Sequence, residues 1–169
     1  MEMNYDCRPV RQNYGAHLIV LALFACAGVS FALSGSFAYP VFLQILGLIF
    51  VLPAIQLITR YLATRYLYRF RVYEDGKAEL EIFAYRGGAK MQLVCCVGME
   101  EITAIWPLCK ENARAKKGHK RYNYAQDLRP RAALVISLRN RDGECEVLFC
   151  PDRGMEQLLL EHTAKKGNE

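Results

Sequence analysis

The sequence predicts an α-helical membrane hairpin joined to a small, mostly β domain that ends in a helix. The run from Gln12 to Thr59 contains no Asp, Glu, Lys or Arg over 48 residues. From Tyr66 onward, apolar residues recur at every second position, a period typical of half-buried strands. Near the end of the chain, Met155 and Leu159 belong to a pattern with the spacing of an amphipathic helix.

The apolar run is long enough for two membrane helices, because one span needs only about 20 residues to cross about 30 Å of hydrocarbon. Ser34-Gly35-Ser36 and Pro40 interrupt it, so we expect helices at about 14–34 and 40–60, within a segment 14–65. Pro40 suits the first turn of the second helix, where its missing N–H would have no intrahelical partner. A signal peptide cleaved near Ser36 is less favoured, since another full-length apolar run follows at once.

Small side chains recur along the first predicted helix and favour close helix packing. In lipid, small residues let two backbones approach, since packing replaces the hydrophobic effect as the driving force. We favour a contact between the two helices of the hairpin over a dimerisation surface. The residues expected to pack in this way are Ala22, Cys26, Gly28 and Ser30.

Positive charges flank the hairpin and predict its orientation. The N-terminal tail, residues 1–13, carries Arg8 and Arg11, whereas the loop between the helices has no charge. Because Lys and Arg accumulate in cytoplasmic loops, we expect a two-pass plasma-membrane protein with both termini in the cytoplasm. Basic residues near an anionic leaflet each gain about 1 kcal/mol, so those after the second helix are expected to contact lipid headgroups. They are Arg60, Arg65, Arg69 and Arg71.

The first two predicted strands, 66–73 and 78–85, are joined at Glu74-Asp75-Gly76. A two-residue turn would place Phe70 opposite Glu81 and mix apolar with charged residues on one face. A three-residue loop with Gly76 in the left-handed conformation places Phe70 opposite Leu80 and leaves an Arg/Glu face outward. We expect this second register, which also sets Val72 opposite Ala78 and Tyr68 opposite Ile82.

Five further strands and one helix complete the predicted domain, residues 66–169. Pro151-Asp152 supplies a stop and a helix N-cap, and His162 extends the apolar stripe that begins at Met155. Strands alone would leave one end of a small barrel or sandwich open, and a helix with a single apolar stripe can close it. The strands are expected around 91–97, 102–106, 122–125, 134–138 and 145–149.

In layout, the chain resembles the bacterial pleckstrin-homology-like (PH-like) membrane proteins, which join two N-terminal transmembrane helices to a cytoplasmic domain. The features that carry the resemblance are the helix pair, the hairpin 66–85, the strand 102–106, and the passage from Val147 to Leu159. The resemblance implies a small antiparallel PH-like barrel of about seven strands, capped by the C-terminal helix, that acts as a binding or scaffolding module. Eukaryotic relatives hold inositol phosphates with a basic loop between the first two strands. The corresponding loop here, Glu74-Asp75-Gly76, is short and acidic, which argues against that mode of recognition.

The sequence predicts no enzyme, and no metal or cofactor site. It contains no glycine-rich phosphate loop, GxSxG, HExxH or kinase signature. The seven cysteines lack zinc-type spacing, and adjacent Cys95 and Cys96 would point to opposite faces of a strand. The net charge of +5 is modest, so no nucleic-acid partner is expected.

The most basic stretch, residues 110–121, is the candidate binding segment. We expect it to contact a protein partner or anionic lipid at the inner membrane face; a solvated loop without a partner carries equal weight. The expected partners are membrane lipids and either another protein or a second copy of the chain. In a second hypothesis, the chain is an accessory subunit of a membrane complex, recognised through its transmembrane helices. The candidate binding residues are Lys110, Arg114, Lys116, Lys117, Lys120 and Arg121.

Overall fold

The structure, a computed structural model, describes residues 3–36, 39–88, 90–109, 111–112, 114–115, 118–140 and 143–166. Three α-helices and eight strands lie within these residues. The helices are α1 (Gly15–Ser34), α2 (Pro40–Leu57) and α3 (Arg153–Lys166). The strands are β1 (Met3–Cys7), β2 (Thr64–Val72), β3 (Ala78–Arg86), β4 (Gln92–Gly98), β5 (Ile102–Pro107), β6 (Lys120–Asn123), β7 (Leu134–Asn140) and β8 (Gly143–Phe149). A π-helical segment, Ile58–Ala63, follows α2.

The chain forms two compact units. The helical unit comprises Gln12–Thr64 and Asp127–Arg129. The β unit comprises Met1–Arg11, Arg65–Gln126 and Pro130–Glu169. The two-helix segment is therefore inserted, in sequence, between the first and second strands.

In the helical unit, two stretches are long and apolar enough to span a membrane. They are Gly15–Ser34 and Pro40–Ala63, close to the helices predicted at 14–34 and 40–60. Only 22% and 11% of their most apolar windows are buried within the protein. The core helix of a soluble protein would be mostly buried, whereas these helices expose most of their large apolar side chains. The predicted helix pair is thus confirmed.

The buried side of α1 follows a different strip from the one predicted. Ser30 is buried, as expected, but Ala22, Cys26 and Gly28 are exposed. An α-helix has about 3.6 residues per turn, so one face recurs at steps of three and four, and these three residues fall to either side of the buried face. The buried residues of α1 are Ala16, Val20, Ala27, Ser30 and Ser34.

Phe31 of α1 packs against Gly47 of α2. A Cβ atom added to Gly47 would lie 2.8 Å from Cε2 of Phe31, which is too close for any side chain. Gly47 is also buried, so its missing side chain provides the space that the aromatic ring occupies. Close approach in this hairpin therefore depends on a small residue in the second helix as well as the first.

The segment Asp127–Arg129 belongs to the helical unit although strands flank it in sequence. The main-chain N–H of Gln12 donates a hydrogen bond to Oδ2 of Asp127 (2.7 Å). Nδ2 of Asn13 donates to the carbonyl oxygen of Arg129 (2.7 Å). Asp127 is only 5% exposed, so this charge-assisted bond is shielded from water. These two hydrogen bonds connect the segment Asp127–Arg129 to the residues that precede α1.

Residues 3–7 form β1, although the sequence predicts an N-terminal tail over residues 1–13. β1 lies antiparallel to β2, with Met3 opposite Val72 and Cys7 opposite Tyr68. Cys7 is 3% exposed and joins the core of the β unit. The inward alternation of Tyr5 and Cys7 is too short to identify a strand when its partner lies beyond the helical hairpin.

The turn between β2 and β3 has the predicted three-residue loop. The N–H of Gly76 donates to the carbonyl oxygen of Tyr73 (3.1 Å), and the N–H of Tyr73 donates to that of Lys77 (2.8 Å). Gly76 has a φ of +81°, in the expected left-handed region. Phe70 and Leu80, which this loop would set opposite one another in an uninterrupted antiparallel pair, are both fully buried. The predicted turn is confirmed.

The strands form two sheets of four. The N-terminal sheet has the order β1-β2-β3-β4, and the C-terminal sheet has the order β5-β7-β8-β6. Strand β7 lies antiparallel to β5 and β8, but β6 runs parallel to β8. The prediction of about seven strands, all antiparallel, is corrected by β1 and by this parallel pair. Parallel pairing is open to β6 because a long connection, and no tight turn, separates it from β8.

The core of the β unit joins both sheets and α3 in one cluster of buried side chains. Met155 and Leu159 of α3 are fully buried there, and Leu158 packs against the cluster. The His162 ring centroid lies 5.2 Å from that of Phe70. The predicted apolar stripe of the C-terminal helix is confirmed.

Asp152 caps α3, as predicted. Its Oδ1 accepts a hydrogen bond from the N–H of Met155 (2.9 Å). Its other carboxylate oxygen, Oδ2, accepts one from the hydroxyl of Tyr5 (3.0 Å), which connects β1 to the start of the helix. A carboxylate at an N-cap contributes about 1 kcal/mol to stability.

Candidate functional site

The candidate binding segment, residues 110–121, connects β5 to β6. Three of its predicted binding residues, Lys110, Lys116 and Lys117, lie outside the described residues. The other three are described and occupy different environments. Arg114 and Lys120 are exposed, whereas the side chain of Arg121 is 12% exposed.

Arg121 forms an ion pair with Glu146, a fully buried residue of β8. The parallel register of β6 and β8 places the two residues side by side. Nε and Nη2 of Arg121 lie 2.7 and 2.6 Å from Oε2 of Glu146. A buried carboxylate needs a charged or hydrogen-bonding partner, because desolvation strongly disfavours an isolated charge. Arg121 supplies that partner.

The same guanidinium also organises the binding segment. Nη1 of Arg121 donates to the carbonyl oxygen of Asn112 (2.9 Å), and Nη2 donates to that of Arg114 (3.0 Å). The Asn112 side chain accepts from the N–H of Cys109 (2.6 Å) and donates to the carbonyl oxygen of Pro107 (2.9 Å). Arg121 therefore has an internal structural role, and direct ligand binding by it stays a prediction.

His119 extends this network along β8. Its Nε2 lies 2.8 Å from Oε2 of Glu144, and its Nδ1 lies 3.7 Å from Oε1 of Glu146. Nε of Arg139 also donates to Glu144, at 3.2 Å. These carboxylates thus pair with His119 and Arg121, near the C-terminal end of the binding segment, and hold the two residues on the sheet. Glu146 was not among the residues predicted for this site, although a Glu between Cys145 and Val147 on a buried strand is a signal for a charged partner.

Lys120 and Tyr122 form the exposed face of β6. Nζ of Lys120 lies 5.1 Å from the centroid of the Tyr122 ring, within the range of a cation–π contact. Tyr122 is 39% exposed. Arg114 is also exposed, so the described part of the segment presents both basic and aromatic side chains to solvent. Such a surface can contact phosphates or carboxylates.

The four arginines predicted to contact headgroups are divided between the two units. Arg60 lies in the helical unit, over the ring of Tyr61 at 5.2 Å. Arg65 is an exposed residue of β2. Arg69 and Arg71 lie on the outward face of the N-terminal sheet, with Asp6 and Glu81 respectively.

Arg69 makes a bidentate ion pair with Asp6 of β1. Its Nε and Nη2 lie 2.7 and 2.9 Å from the two carboxylate oxygens. The hydrogen bonding from Arg69 holds the pKa of Asp6 below its usual value. Both side chains are partly exposed, so this pair contributes modestly to stability. Arg69 therefore connects β2 to β1, and it is also a candidate headgroup ligand.

Cys95 and Cys96 point to opposite faces of β4, as predicted. Cys95 lies opposite Ile82 and packs against the core, whereas exposed Cys96 lies opposite Glu81. Burial raises the pKa of Cys95 to about 11. Desolvation, reinforced by Glu79, also raises the pKa of Cys96. Both thiols are therefore mostly protonated at neutral pH and are weak nucleophiles. In the part of the chain that the structure describes, no three His, Cys, Asp or Glu residues are arranged to hold a metal ion.

Comparisons of the chain with protein-family models, with curated proteins and with solved structures find no match. The assignment of a function therefore depends on the residues and geometry described above.

Proposed function

We propose that the chain is a membrane-anchored interaction module without enzymatic activity. In this proposal α1 and α2 cross the plasma membrane, and the β unit recognises a protein partner or anionic lipid at the inner face. The observation that carries the proposal is the exposure of the hairpin, since 78% or more of each apolar window is left unburied by the rest of the protein. Such a surface is stable in hydrocarbon and would aggregate in water.

A PH-like architecture for the β unit is part of the proposal. Two four-stranded sheets, the β2–β3 hairpin and a C-terminal helix packed on the core support it. Strand β1 and the parallel pairing of β6 are additions to the seven-stranded antiparallel pattern that the sequence resemblance implies. Domains of this type recognise ligands through loops carried on a rigid scaffold, which suits the anchored segment between β5 and β6.

A cytoplasmic location for both termini is supported by the arginines at the ends of the hairpin. Arg8 and Arg11 precede α1, and Arg60 and Arg65 lie at the end of the second apolar stretch. No Asp, Glu, Lys or Arg lies between positions 12 and 59. The positive-inside rule then places the uncharged turn on the far side of the membrane.

The proposal can be tested in two stages with the full-length protein. In the first, alkaline carbonate extraction separates integral from peripheral proteins, and we expect the chain to remain in the membrane pellet. Its release into the supernatant would contradict the membrane anchor.

In the second stage, the double substitution Arg114→Glu and Lys120→Glu tests the exposed basic surface. We expect it to remove a copurifying protein or anionic lipid that the wild-type chain retains in mild detergent. A matched control, Lys90→Glu with Arg153→Glu, reverses the same number of exposed charges elsewhere in the β unit. Retention by both double variants would show that the binding segment is not the recognition site.

The second candidate function is an accessory subunit recognised through its transmembrane helices. It is favoured by the exposure of Cys26 and Gly28, small residues that the α1–α2 contact leaves uncovered. Cys26→Leu with Gly28→Leu should then disrupt a complex without disturbing the hairpin contact. A complex that survives this double substitution would contradict the second candidate.

A further inference from the structure

A cleft in the β unit is lined by three arginines. From the sequence alone, two of them indicate only the membrane orientation, and the third is expected only to contact lipid headgroups. The cleft has a volume of about 340 Å³ and includes Arg8, Arg11 and Arg65 in its lining. All three belong to the β unit. We call it the arginine cleft.

Strand pairing explains why these residues meet. Cys7, the last residue of β1, lies opposite Tyr68 of β2. In an antiparallel pair the chain that leaves β1 runs alongside the start of β2, so residues 8–11 pass near Arg65 and Tyr66. The cleft therefore depends on β1, a strand that the sequence pattern does not predict.

The lining has the charge expected of an anion site. The described lining residues include three arginines and no Asp or Glu, so this part of the lining is positively charged. Like charges that line one cleft repel one another, and a bound anion relieves that repulsion. Arginine favours phosphate in particular, because its planar fork can donate two parallel hydrogen bonds to one phosphate group.

Other polar side chains in the lining can also contact a bound anion. Tyr85 and Gln126 also line the cleft and carry a hydroxyl and an amide group, and Tyr66 forms part of one wall. Tyr66 is 6% exposed and packs edge-on against Tyr124, with ring centroids 5.9 Å apart, so one wall is held firmly in place. A rigid wall with exposed Arg8 and Arg65 beside it can receive a ligand without rebuilding the fold.

We propose that the arginine cleft binds a phosphate-bearing anion, supplied by an anionic lipid headgroup or by a soluble phosphate compound. In the chain, Arg11 lies four residues before the first apolar helix, Gly15–Ser34, and Arg65 lies two residues after the second apolar stretch, Pro40–Ala63. If the hairpin spans a membrane, both arginines are close in sequence to its ends, where headgroup phosphates are found. The lipid source rests on the proposed membrane anchor, whereas the anion site itself does not.

The test measures binding to the full-length protein in an uncharged detergent with three probes. They are inorganic phosphate, short-chain phosphatidylglycerol and short-chain phosphatidylcholine, whose headgroup has no net charge. We expect an anionic probe to bind more tightly than phosphatidylcholine. Arg8→Gln with Arg65→Gln should weaken that binding at least tenfold, while Lys90→Gln with Arg153→Gln, which removes the same charge from other exposed positions, should leave it unchanged.

Competition identifies the source. Displacement of phosphatidylglycerol by inorganic phosphate would show recognition of phosphate in either form. Binding of phosphatidylglycerol without such displacement assigns the site to lipid, and binding of phosphate alone assigns it to a soluble ligand. Equal binding by the wild type and the Arg8/Arg65 variant, or an equal loss in the control variant, would overturn the proposal.

Two further measurements keep the result interpretable. The melting temperature of each variant checks its fold, and the single substitutions Arg8→Gln and Arg65→Gln replace the double variant if it fails to fold, with a smaller loss expected from each. Carbonate extraction of the same variants separates the two proposals. A chain that stays in the membrane but binds no anion contradicts only the cleft, whereas a chain that is extracted yet binds phosphate contradicts only the membrane anchor.

Discussion

The hydroxyl of Tyr5 donates a hydrogen bond to the carboxylate of Asp152, so the first strand of the chain contacts the residue that caps its last helix (3.0 Å). The N–H of Asp152 in turn lies 3.3 Å from Sγ of Cys7. Gly154 completes this contact, because a Cβ atom there would lie 3.0 Å from Cζ of Tyr5. β1 is therefore fitted to the start of α3 as well as to the edge of β2.

Asp152→Ala should destabilise the β unit more than Tyr5→Phe. The alanine removes both the helix cap, worth about 1 kcal/mol, and the acceptor for Tyr5, whereas the phenylalanine removes a single hydrogen bond worth about 1 kcal/mol. Asp152→Asn retains a capping oxygen and should lie close to the wild type. Denaturant unfolding of the full-length protein in detergent measures the three differences. Equal stability of Asp152→Ala and Asp152→Asn would argue that the cap contributes nothing.

Arg121→Met should be strongly destabilising. It leaves the Glu146 carboxylate buried without its guanidinium partner, and breaking a buried pair in this way costs about 3–5 kcal/mol. Adding Glu146→Gln should recover a large part of the loss, because the second change removes the buried charge. The control is Lys120→Met, which removes an exposed charge one residue away. A double-mutant cycle on unfolding free energies provides the measurement, and strict additivity would show that the two residues are not coupled.

Acid should weaken the contact between β1 and β2. Arg69 lowers the pKa of Asp6 in the folded state, so the resulting stability is present above the ordinary carboxylate pKa of roughly 3.9 and is lost as the pH falls through the lower folded value. Asp6→Asn should show a smaller loss of stability over that window than the wild type. Unfolding followed at a series of acidic pH values tests this, and identical pH profiles for the two proteins would contradict it.

Cys96 should react with an alkylating reagent faster than Cys95 at neutral pH. Cys96 is exposed, whereas Cys95 packs against the core and burial raises its pKa to about 11. Thiolate, the reactive form, is scarce at a site with such a pKa. Mass spectrometry of the peptide containing both residues, after brief labelling, resolves the two positions. Preferential modification of Cys95 would mean that β4 faces the other way.

Local patterns predicted the parts of the fold whose partners are close in sequence. The two apolar helices, the loop at Gly76 and the stripe of α3 each depend on residues within one or two neighbouring elements. β1 was not predicted, because five residues carry little periodicity and its partner begins at Thr64, after the whole hairpin. The parallel pairing of β6 and the attachment of Asp127 to Gln12 depend on contacts of the same long-range kind.

The candidate site, like the fold, could be predicted only in the parts that depend on local sequence. Composition identified the basic segment, and exposed Arg114 and Lys120 remain its described binding candidates. It could not show that Arg121 pairs with buried Glu146, since that contact requires the β6–β8 register. The arginine cleft could not be predicted from the sequence either, because it also depends on strand pairing. Arg8 and Arg65 are 57 positions apart, and only the pairing of β1 with β2 brings their segments together.

The pairing of β1 with β2 also limits how the chain can cross a bilayer. β1 precedes the hairpin and β2 follows it, and strands on opposite sides of a hydrocarbon layer cannot exchange main-chain hydrogen bonds. A chain that spans the bilayer and keeps this pairing must therefore cross it an even number of times, whatever the distribution of charge. If the hairpin crosses a membrane in this way, β1 is synthesised before the hairpin and can pair with β2 only after residue 64 has returned to the same side. The β1–β2 pairing would then form only after both helices had been inserted.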